Sequence, residues 1–421
     1  MKKCVKDLKV LSLFSGCGGM DLGFEGDFDV LTACLNLKVH HDWAKNKKGS
    51  WIRLPATRFK TVFANDIAHA ARACWAPFFE KRGNKATDFH LESVVDLVKR
   101  HNQGENVFQS ADVVTGGFPC QDFSVAGKRK GFNSHKAHHG DLLTAGDEPT
   151  AENRGKLYMW MRNIVGIVKP KVFVAENVKG LVSLAHAKKI IENDFRSIGN
   201  GGYLVMDARV LFAPDYGVPQ SRERVIFIGF KKSAMTDRAR KELSANHLSE
   251  EYTPYPQRTH SVQPSGVLKH HVNVRQVLAD LPEPNNSKDL SQTIYSKAKW
   301  YGRHCQGQKE VDLEGLGPTI RSEHHGNIEF RRLSKKHGGR YVDELEKGMV
   351  ERRLTVRECA RIQTFPDNFT FVREKTATEK YPLSSSDGYR VIGNAVPPLL
   401  AFHIAKRLEK LWPKLFKKGA Q

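Results

Sequence analysis

Residues 111–124 read Ala111-Asp112-Val113-Val114-Thr115-Gly116-Gly117-Phe118-Pro119-Cys120-Gln121-Asp122-Phe123-Ser124. The β-branched run Val113 to Thr115 predicts a buried strand, which the two glycines end. Pro119 fixes its own φ and holds Phe118 extended, so Cys120 should leave the strand end in a fixed direction. A free cysteine is usually an ordinary buried residue. The basic loop after it, residues 124–131, favours instead a nucleophile that meets a polyanion.

Composition limits the class of protein around this segment. The chain has 421 residues, which predicts two domains, and its net charge of +21 favours a nucleic acid partner. The seven cysteines contain no C-x-x-C pair, so the sequence supports neither a disulfide framework nor a zinc site. No apolar run reaches membrane-spanning length, and the N-terminus lacks an apolar signal core. We therefore expect a nucleic-acid-binding protein of a reducing compartment, without a membrane partner.

Towards the N-terminus, the chain predicts a glycine-rich turn between a strand and a helix. A first strand is expected over Leu8–Phe14 and a helix from about Met20. Gly16, Gly18 and Gly19 would let the backbone pass close to a ligand, although their spacing is not that of a dinucleotide-binding turn. A second strand, over residues 61–64, ends before Asp66. An acidic residue at this position grips a ribose diol in nucleotide-binding sheets.

Towards the C-terminus, a carboxylate is predicted at the same sheet edge as Cys120. The apolar strand 171–175 leads directly into Glu176. A carboxylate there is costly unless it is used or paired, so catalysis and a structural ion pair are both open. Arg222 and Arg224 precede the next long strand and, being alternate residues, should share one face.

Taken in order, these segments resemble the DNA (cytosine-5)-methyltransferase family over most of the chain. The resemblance rests on six motifs: Phe14-Ser15-Gly16-Cys17-Gly18-Gly19, Pro119-Cys120, Glu176-Asn177-Val178, Gln220-Ser221-Arg222-Glu223-Arg224, residues 352–366 and residues 388–398. It implies an α/β fold, in which a Rossmann-like S-adenosylmethionine-dependent methyltransferase sheet is joined to a second, smaller target-recognition domain.

The resemblance and a change in composition give the expected domain limits. A catalytic, S-adenosylmethionine-binding domain is expected over residues 1–235, with insertions at about 35–59 and 133–152. The target-recognition domain should span 236–385, and a C-terminal helix segment, 386–421, should return to the catalytic domain. Within the second domain, Thr355 and Glu358 form the pattern of a helix capping box.

The site residues are implied by the same resemblance. The catalytic residues would be Cys120, Glu176, Arg222 and Arg224. S-adenosylmethionine would be bound by Phe14, Ser15, Gly16, Gly18, Gly19, Asp66, Ile67, Asp88, Phe89, Pro119, Asn394 and Val396. DNA would be contacted by Ser124, Lys128, Arg129, Lys130, Arg303, Thr319 and Arg321.

These residues fit a covalent methyl transfer. The Cys120 thiolate would add to C6 of cytosine, which makes C5 nucleophilic enough to attack the methyl group of the sulfonium. Glu176 would protonate N3, and Arg224 would bind the carbonyl oxygen. The target base must leave the duplex for this chemistry. The group that removes the C5 proton stays unassigned, with water as a candidate.

We therefore predict a DNA (cytosine-5-)-methyltransferase that modifies a specific duplex sequence and protects it from a cognate restriction endonuclease. A cytoplasmic, nucleoid-associated monomer is expected. A tRNA cytosine-5 methyltransferase on the same fold and a non-catalytic DNA-binding relative remain open. No metal is expected, because the histidines near residue 138 lack diagnostic ligand spacing. The basic insertion 35–59 is either a DNA contact or a solvated loop.

Overall fold

The computed structural model describes residues 6–119, 157–183, 186–322 and 327–417. Its strands are β1 (Leu8–Leu13), β2 (Asp29–Leu31), β3 (Asn46–Lys48), β4 (Trp51–Arg53), β5 (Phe59–Asp66), β6 (Phe89–Leu91), β7 (Val113–Gly117), β8 (Val172–Val178), β9 (Tyr203–Val205), β10 (Arg209–Phe212), β11 (Glu223–Lys231), β12 (His260–Ser261), β13 (Lys269–His270), β14 (Phe330–Arg332) and β15 (Arg352–Arg353). Its helices are α1 (Gly19–Glu25), α2 (His69–Glu80), α3 (Val94–Asn102), α4 (Leu157–Val168), α5 (Ala187–Arg196), α6 (Asp237–Leu243), α7 (Val274–Leu278), α8 (Leu290–Thr293), α9 (Val342–Glu346), α10 (Val356–Ile362), α11 (Ser385–Asn394) and α12 (Pro398–Leu415).

The central sheet has the order β10-β11-β8-β7-β1-β5-β6, with β9 also paired to β11. The five strands from β8 to β6 are parallel, whereas β11 is antiparallel to β8. The carboxyl ends of the parallel strands therefore meet at one edge. The antiparallel β11 brings its first residues to that edge, where Arg224 pairs with Val178. This arrangement confirms the predicted α/β sheet.

Helices cover both faces of the sheet, as an apolar parallel sheet requires. One face packs against α3, α4 and α5 through a buried cluster that includes Val95, Ile164 and Ile191. The other face packs against α1, α2 and α12. Helix α12 lies close along α1, because a Cβ atom on Gly23 would come within 2.4 Å of the Ala401 methyl carbon.

Between residues 236 and 384, the described chain consists of helices of up to seven residues and strands of two or three residues. Several arginine side chains are buried there among carboxylates and carbonyl oxygens, namely Arg332, Arg352, Arg353, Arg357 and Arg361. The first residue of this part, Thr236, donates its N–H to the carbonyl of Leu415 in α12. The limits of the recognition domain stay a prediction.

The insertion 35–59 is packed rather than loosely solvated. Its strands β3 and β4 form a small antiparallel sheet with β2, in the order β2-β4-β3. Trp43 is only 3% exposed and stacks on His40 with 3.8 Å between the ring centroids. The base of this segment is therefore packed, whereas residues 44–50, with their three lysines, are exposed as the solvated-loop alternative expects. The second insertion, 133–152, lies outside the described residues.

Candidate active site

The segment that leads to the predicted nucleophile leaves the carboxyl edge of the sheet. Strand β7 ends at Gly117, and Phe118 and Pro119 carry the chain away from it. Cys120 lies outside the described residues. So do the predicted DNA contacts of the loop after it, Ser124, Lys128, Arg129 and Lys130.

Glu176 lies beside this segment. It pairs in register with Gly117, three residues before Cys120. A Cβ atom on Gly117 would stand 2.8 Å from Glu176 Oε2, so only a glycine leaves the carboxyl group its place. Burial raises the pKa of Glu176, while Arg224 and Arg222 oppose that shift. The site therefore holds a carboxyl group that retains its proton more strongly than an exposed glutamate does.

Arg224 orients this carboxyl group. Its Nε atom lies 2.6 Å from Glu176 Oε1, and both side chains are about nine-tenths buried. Its Nη1 donates to the carbonyl of Glu223, which fixes the guanidinium plane. The pair predicted from the sequence is thus brought together at the carboxyl edge.

Asn177 was not assigned a role from the sequence, yet it ties the two site strands together. Its buried Nδ2 donates to the carbonyl of Phe118 over 3.1 Å, and its Oδ1 accepts from the N–H of Val178 over 2.9 Å. The amide therefore holds the backbone two residues before Cys120. The sequence feature that could have indicated this role is a polar residue directly after Glu176 in an apolar strand.

Arg222 is placed differently from its predicted catalytic position. Its Nη2 donates to the carbonyls of Gly393 and Ala395, each over 2.8 Å, and its Nη1 donates to the carbonyl of Ile320 over 3.2 Å. Arg222 is fully buried. These contacts make it a clamp between three chain segments, although its charge still lowers the pKa of Glu176. Arg222 therefore differs in role from Arg224, because it lies before β11 and its guanidinium bonds to these three carbonyls.

The same three segments carry other predicted residues. Gln220 forms a parallel β-bridge with Gly317, and Thr319 Oγ1 donates to the carbonyl of Ser221. A Cβ atom on Gly393 would lie 2.3 Å from the carbonyl carbon of Arg321, so the C-terminal segment packs directly on that backbone. The structure therefore brings Thr319, Arg321 and the neighbour of Gly393, Asn394, to the strand that begins at Glu223.

The glycine-rich turn stands at the same edge, at the end of β1. Phe14 has a φ of 51°, and Gly16 and Gly18 have φ values of 55° and 88°. A positive φ at an aromatic residue is strained, which is typical of functional turns. The Ser15 N–H donates to the carbonyl of Asn65, and the Ser15 Oγ accepts from the Asn65 N–H. The turn is thus fastened to the neighbouring strand.

Close packing supports the turn from below and leaves space above it. A Cβ atom on Gly18 would come within 2.7 Å of Trp75, and one on Gly19 within 2.4 Å of the Val396 carbonyl oxygen. At Gly16, by contrast, a Cβ atom would have no neighbour within 4 Å. The predicted residues Gly18, Gly19 and Val396 therefore pack beneath the turn, and we call the open space beside Gly16 at the carboxyl edge the cleft.

Asp66 and Ile67 border this cleft. Asp66 ends β5, and its Oδ2 accepts from the Gly16 N–H over 3.0 Å. Ile67 is 37% exposed, which is unusual for so large an apolar side chain. A carboxylate beside an exposed apolar surface and an open turn fits a ligand that has both hydroxyl groups and a flat ring.

The predicted cofactor residues Asp88 and Phe89 do not reach this cleft. In the register of β5 and β6, Asp66 lies opposite Leu91, so Asp88 stands three residues before the carboxyl edge. Its carboxylate accepts from the Lys85 N–H over 2.8 Å, and Phe89 is buried against Trp75. Asp88 and Phe89 lie at the start of β6 instead of its end. The motif match therefore placed the acidic residue too early, three positions before the end of the strand.

Glu92 occupies the position that Asp88 was expected to fill. It follows Leu91 directly at the carboxyl edge, and its carbonyl accepts from Asn65 Nδ2 over 2.6 Å. Its carboxylate lies 2.7 Å from Arg100 Nη1. The sequence could have indicated Glu92, because it is an acidic residue directly after a short strand and directly before Ser93, the N-cap of α3.

Asp21 is a further buried acid that supports the turn. It accepts from Ser12 Oγ over 2.5 Å and from Trp75 Nε1 over 2.8 Å. Burial raises its pKa to about 7. Since these contacts join β1, α1 and α2, Asp21 fixes the base of the glycine turn.

The predicted DNA-reading residues of the second region differ in their surroundings. Arg303 is exposed, whereas Arg321 is half-buried with its Nη1 3.4 Å from Glu329 Oε1. Across the ranges that the structure describes, no cluster of histidine, cysteine or acidic residues could hold a metal ion. No described helix is long and apolar enough to cross a bilayer.

Comparison with known proteins agrees with this geometry. The family model for C-5 cytosine-specific DNA methylases matches residues 8–410, so the chain belongs to that family. It is 32% identical over 413 residues to the type II methyltransferase M.BspRI of Lysinibacillus sphaericus, with 95% of this chain and 81% of that protein covered. It is 28% identical over 419 residues to the type II methyltransferase M.NgoFVII of Neisseria gonorrhoeae, with coverages of 97% and 88%.

Solved structures share the fold. The Entamoeba histolytica methyltransferase EhMeth superposes with a TM-score of 0.53 at 15% identity, covering 97% of this chain and 99% of that one. The S. pombe Dnmt2 methyltransferase gives a TM-score of 0.52 at 15% identity, with coverages of 96% and 99%.

Proposed function

We propose that this DNA cytosine-5 methyltransferase methylates C5 of a flipped-out cytosine in a specific duplex sequence, through a covalent bond between Cys120 and C6. The observation that carries the proposal is the placement of Glu176. Its carboxyl group, whose pKa burial raises, lies between Gly117, at the root of the Cys120 segment, and the guanidinium of Arg224. A general acid, a charged donor and a nucleophile would then meet at one sheet edge.

Each group has a distinct task in this mechanism. The Cys120 thiolate adds to C6, while the Glu176 carboxyl group gives its proton to N3 of the ring. Arg224 donates to the cytosine carbonyl oxygen and keeps Glu176 in place. Asn177 aims the chain that carries Cys120, through its bond to the Phe118 carbonyl. After methyl transfer, a base removes the C5 proton and the thiolate leaves.

The cleft at the glycine turn would hold S-adenosylmethionine, which supplies an electrophilic methyl group when bound. The turn from Phe14 to Gly19 would pass along its amino acid part. Asp66 would accept hydrogen bonds from the ribose hydroxyls, and Ile67 would cover the adenine ring. We assign the next strand end to Glu92 in place of Asp88, because only Glu92 stands at the cleft edge. Pro119, Asn394 and Val396 would close the cleft.

The biological setting follows from the relatives. Those named above are type II methyltransferases by name. We therefore propose that the chain protects DNA from a cognate restriction endonuclease in the cytoplasm and acts as a monomer on duplex DNA. Arg303, Thr319 and Arg321 would contribute to target recognition.

Bisulfite sequencing tests this function. Duplex DNA and tRNA are each incubated with the protein and S-adenosylmethionine, in parallel with the Cys120→Ala variant. We expect protected cytosines within one short DNA sequence, none in tRNA, and none with the variant. Protection of tRNA alone would identify the other substrate class, and protection by Cys120→Ala would exclude the covalent route.

A further inference from the structure

The insertion that contains β3 and β4 ends in an exposed basic tip. Residues 44–50 are all exposed, although they lie between the buried Trp43 and the buried Ile52. Lys47 and Lys48 belong to this tip and form no ion pair with any described residue. We call the segment from Trp43 to Arg53 the basic ribbon.

The basic ribbon is firmly built at its base. Besides stacking on His40, Trp43 lies edge-on to Phe402 and His403 of α12, with centroid distances of 4.8 and 4.6 Å. Arg53 bonds to Asp27 over 3.0 Å and to Asp29 over 3.2 Å. An aromatic anchor, a three-stranded ladder and these ion pairs hold the ribbon in one direction.

The tip of the ribbon lies next to Leu31, and the chain after Leu31 leads to residues 259–269 of the predicted recognition domain. Lys48 and Leu31 both pair with Trp51, whereas Asn46 and Asp29 pair with Arg53 at the other end. The chain continues from Leu31 into residues 32–36, which pack on residues 259–269, beyond the main sheet. There Asn36 Nδ2 donates to the carbonyls of Thr259 and Val267, and Lys269 Nζ donates to the carbonyl of Leu35.

The ribbon adds positive charge beside residues 259–269, and its tip contains no acidic residue that would neutralise this charge. Residues 35–50 contain four lysines, Lys38, Lys45, Lys47 and Lys48, against the single acid Asp42. A rigid stem costs little ordering entropy on binding, and unpaired lysines at its end are free to meet phosphate. The charge excess of the whole chain points to the same kind of partner.

We propose that the basic ribbon is an accessory clamp on the phosphate backbone of duplex DNA, with Lys47 and Lys48 as its contacts. The proposal rests on the proposed function, because it takes the methylated duplex as the occupant. The ribbon would raise affinity for DNA of any sequence and leave the choice of target to other residues. Its two lysines, adjacent in a strand, would reach phosphates from opposite faces of the ribbon.

The test uses the full chain with the double variant Lys47→Ala/Lys48→Ala. A matched control, Lys189→Ala/Lys241→Ala, removes the same charge from exposed positions on α5 and α6. Binding is measured by fluorescence anisotropy on a duplex with the target sequence and on an unrelated duplex, over a series of salt concentrations. Thermal unfolding verifies that each variant is folded, which the exposure of all four positions favours.

Each lysine–phosphate contact should contribute about 0.9 to the slope of log affinity against log salt. The ribbon variant should therefore lose up to about 60-fold in affinity at roughly 0.1 M salt, equally on both duplexes, with a slope smaller by about 2. Its kcat at saturating DNA and its methylated sequence should equal those of the wild type. The control should bind as the wild type does.

Three results would overturn the clamp: unchanged binding, a loss that the control shares, or a changed methylated sequence. Failure of the proposed function looks different, since the wild type would then leave every DNA cytosine unprotected in bisulfite sequencing. Binding is read without methyl transfer, so the two failures stay separate.

Discussion

Glu176 and Glu283 are both contacted by arginine, yet their pKa values move in opposite directions. For Glu176 burial dominates, so its pKa is raised despite Arg224 at 2.6 Å. Burial also raises the pKa of Glu283, but hydrogen bonds from Arg352 and Arg332 outweigh it and bring that pKa to about 2. The number of hydrogen-bond donors and the access of water thus decide whether the pKa of a glutamate in contact with arginine is raised or lowered.

The contrast extends to the regions around these residues. The main sheet is held by apolar side chains, and its carboxyl edge keeps a carboxyl group that can retain a proton. The region after β11 is held by buried arginines that meet carboxylates, for example Arg352 with Glu358 at 2.9 Å and Arg332 with Glu344 at 2.6 Å. One glutamate is placed for chemistry, and the other ties chain segments together.

The largest effect should follow from Glu176→Gln. An amide cannot give a proton to the ring, so kcat should fall by about 10² to 10⁴, the usual contribution of a general acid. The free energy of unfolding should fall less than in Glu283→Gln, because the raised pKa of Glu176 means that its ionised form does not stabilise the folded state. Methyl incorporation into duplex DNA and thermal unfolding measure the two. Glu223→Gln, an exposed neighbour paired with Lys179, is the control and should keep wild-type kcat.

Glu283→Gln should affect stability instead of catalysis. It leaves the buried guanidinium groups of Arg332 and Arg352 with less opposite charge, which should lower the free energy of unfolding by about 3 kcal/mol. The kcat of the folded fraction should stay unchanged. Glu314→Gln, whose partner Arg275 is exposed, should cost about 1 kcal/mol or less. If chemical denaturation shows the same loss of unfolding free energy for Glu283→Gln and Glu314→Gln, the distinction between buried and exposed ion pairs is contradicted.

The pH dependence of stability should separate the wild type from Glu283→Gln. A lowered pKa stabilises the folded state above the ordinary glutamate pKa of about 4.3, and this stabilisation is lost as pH falls through about 2. The difference between the two proteins should thus be constant near neutral pH and shrink below about pH 4. Denaturation curves at several pH values measure it, and a difference that grows with acid would contradict the assigned direction.

How much of this could be predicted from sequence varies with the kind of interaction. Apolar periodicity predicted the main strands, and the pattern Thr355–Glu358 predicted a capping box that the structure confirms, with reciprocal bonds of 3.0 and 2.8 Å. That Glu358 also binds Arg352 was not predictable, because ion pairs have no period along the chain. The register of β5 and β6 was likewise hidden, so the sequence pointed to Asp88, whereas Glu92 follows the strand end.

The smallest effect separates these two assignments in the cofactor cleft. Asp66→Ala removes the carboxylate at the cleft and should weaken S-adenosylmethionine binding by about 1.5–3 kcal/mol, the value of a hydrogen bond to a charged group. Asp88→Ala should leave the affinity unchanged, since that carboxylate caps a turn away from the edge. Calorimetry compares both. A loss at Asp88 with none at Asp66 would reverse the assignment.

The covalent route is tested most directly with duplex DNA that carries 5-fluorocytosine at the target. Fluorine cannot leave C5 as a cation, so the protein should stay bonded to C6 after methyl transfer. We predict a denaturation-resistant adduct that requires S-adenosylmethionine, maps to Cys120, forms slowly with Glu176→Gln and is absent with Cys120→Ser. An adduct on Cys17, Cys305 or Cys359, or none with an active wild type, would contradict the account.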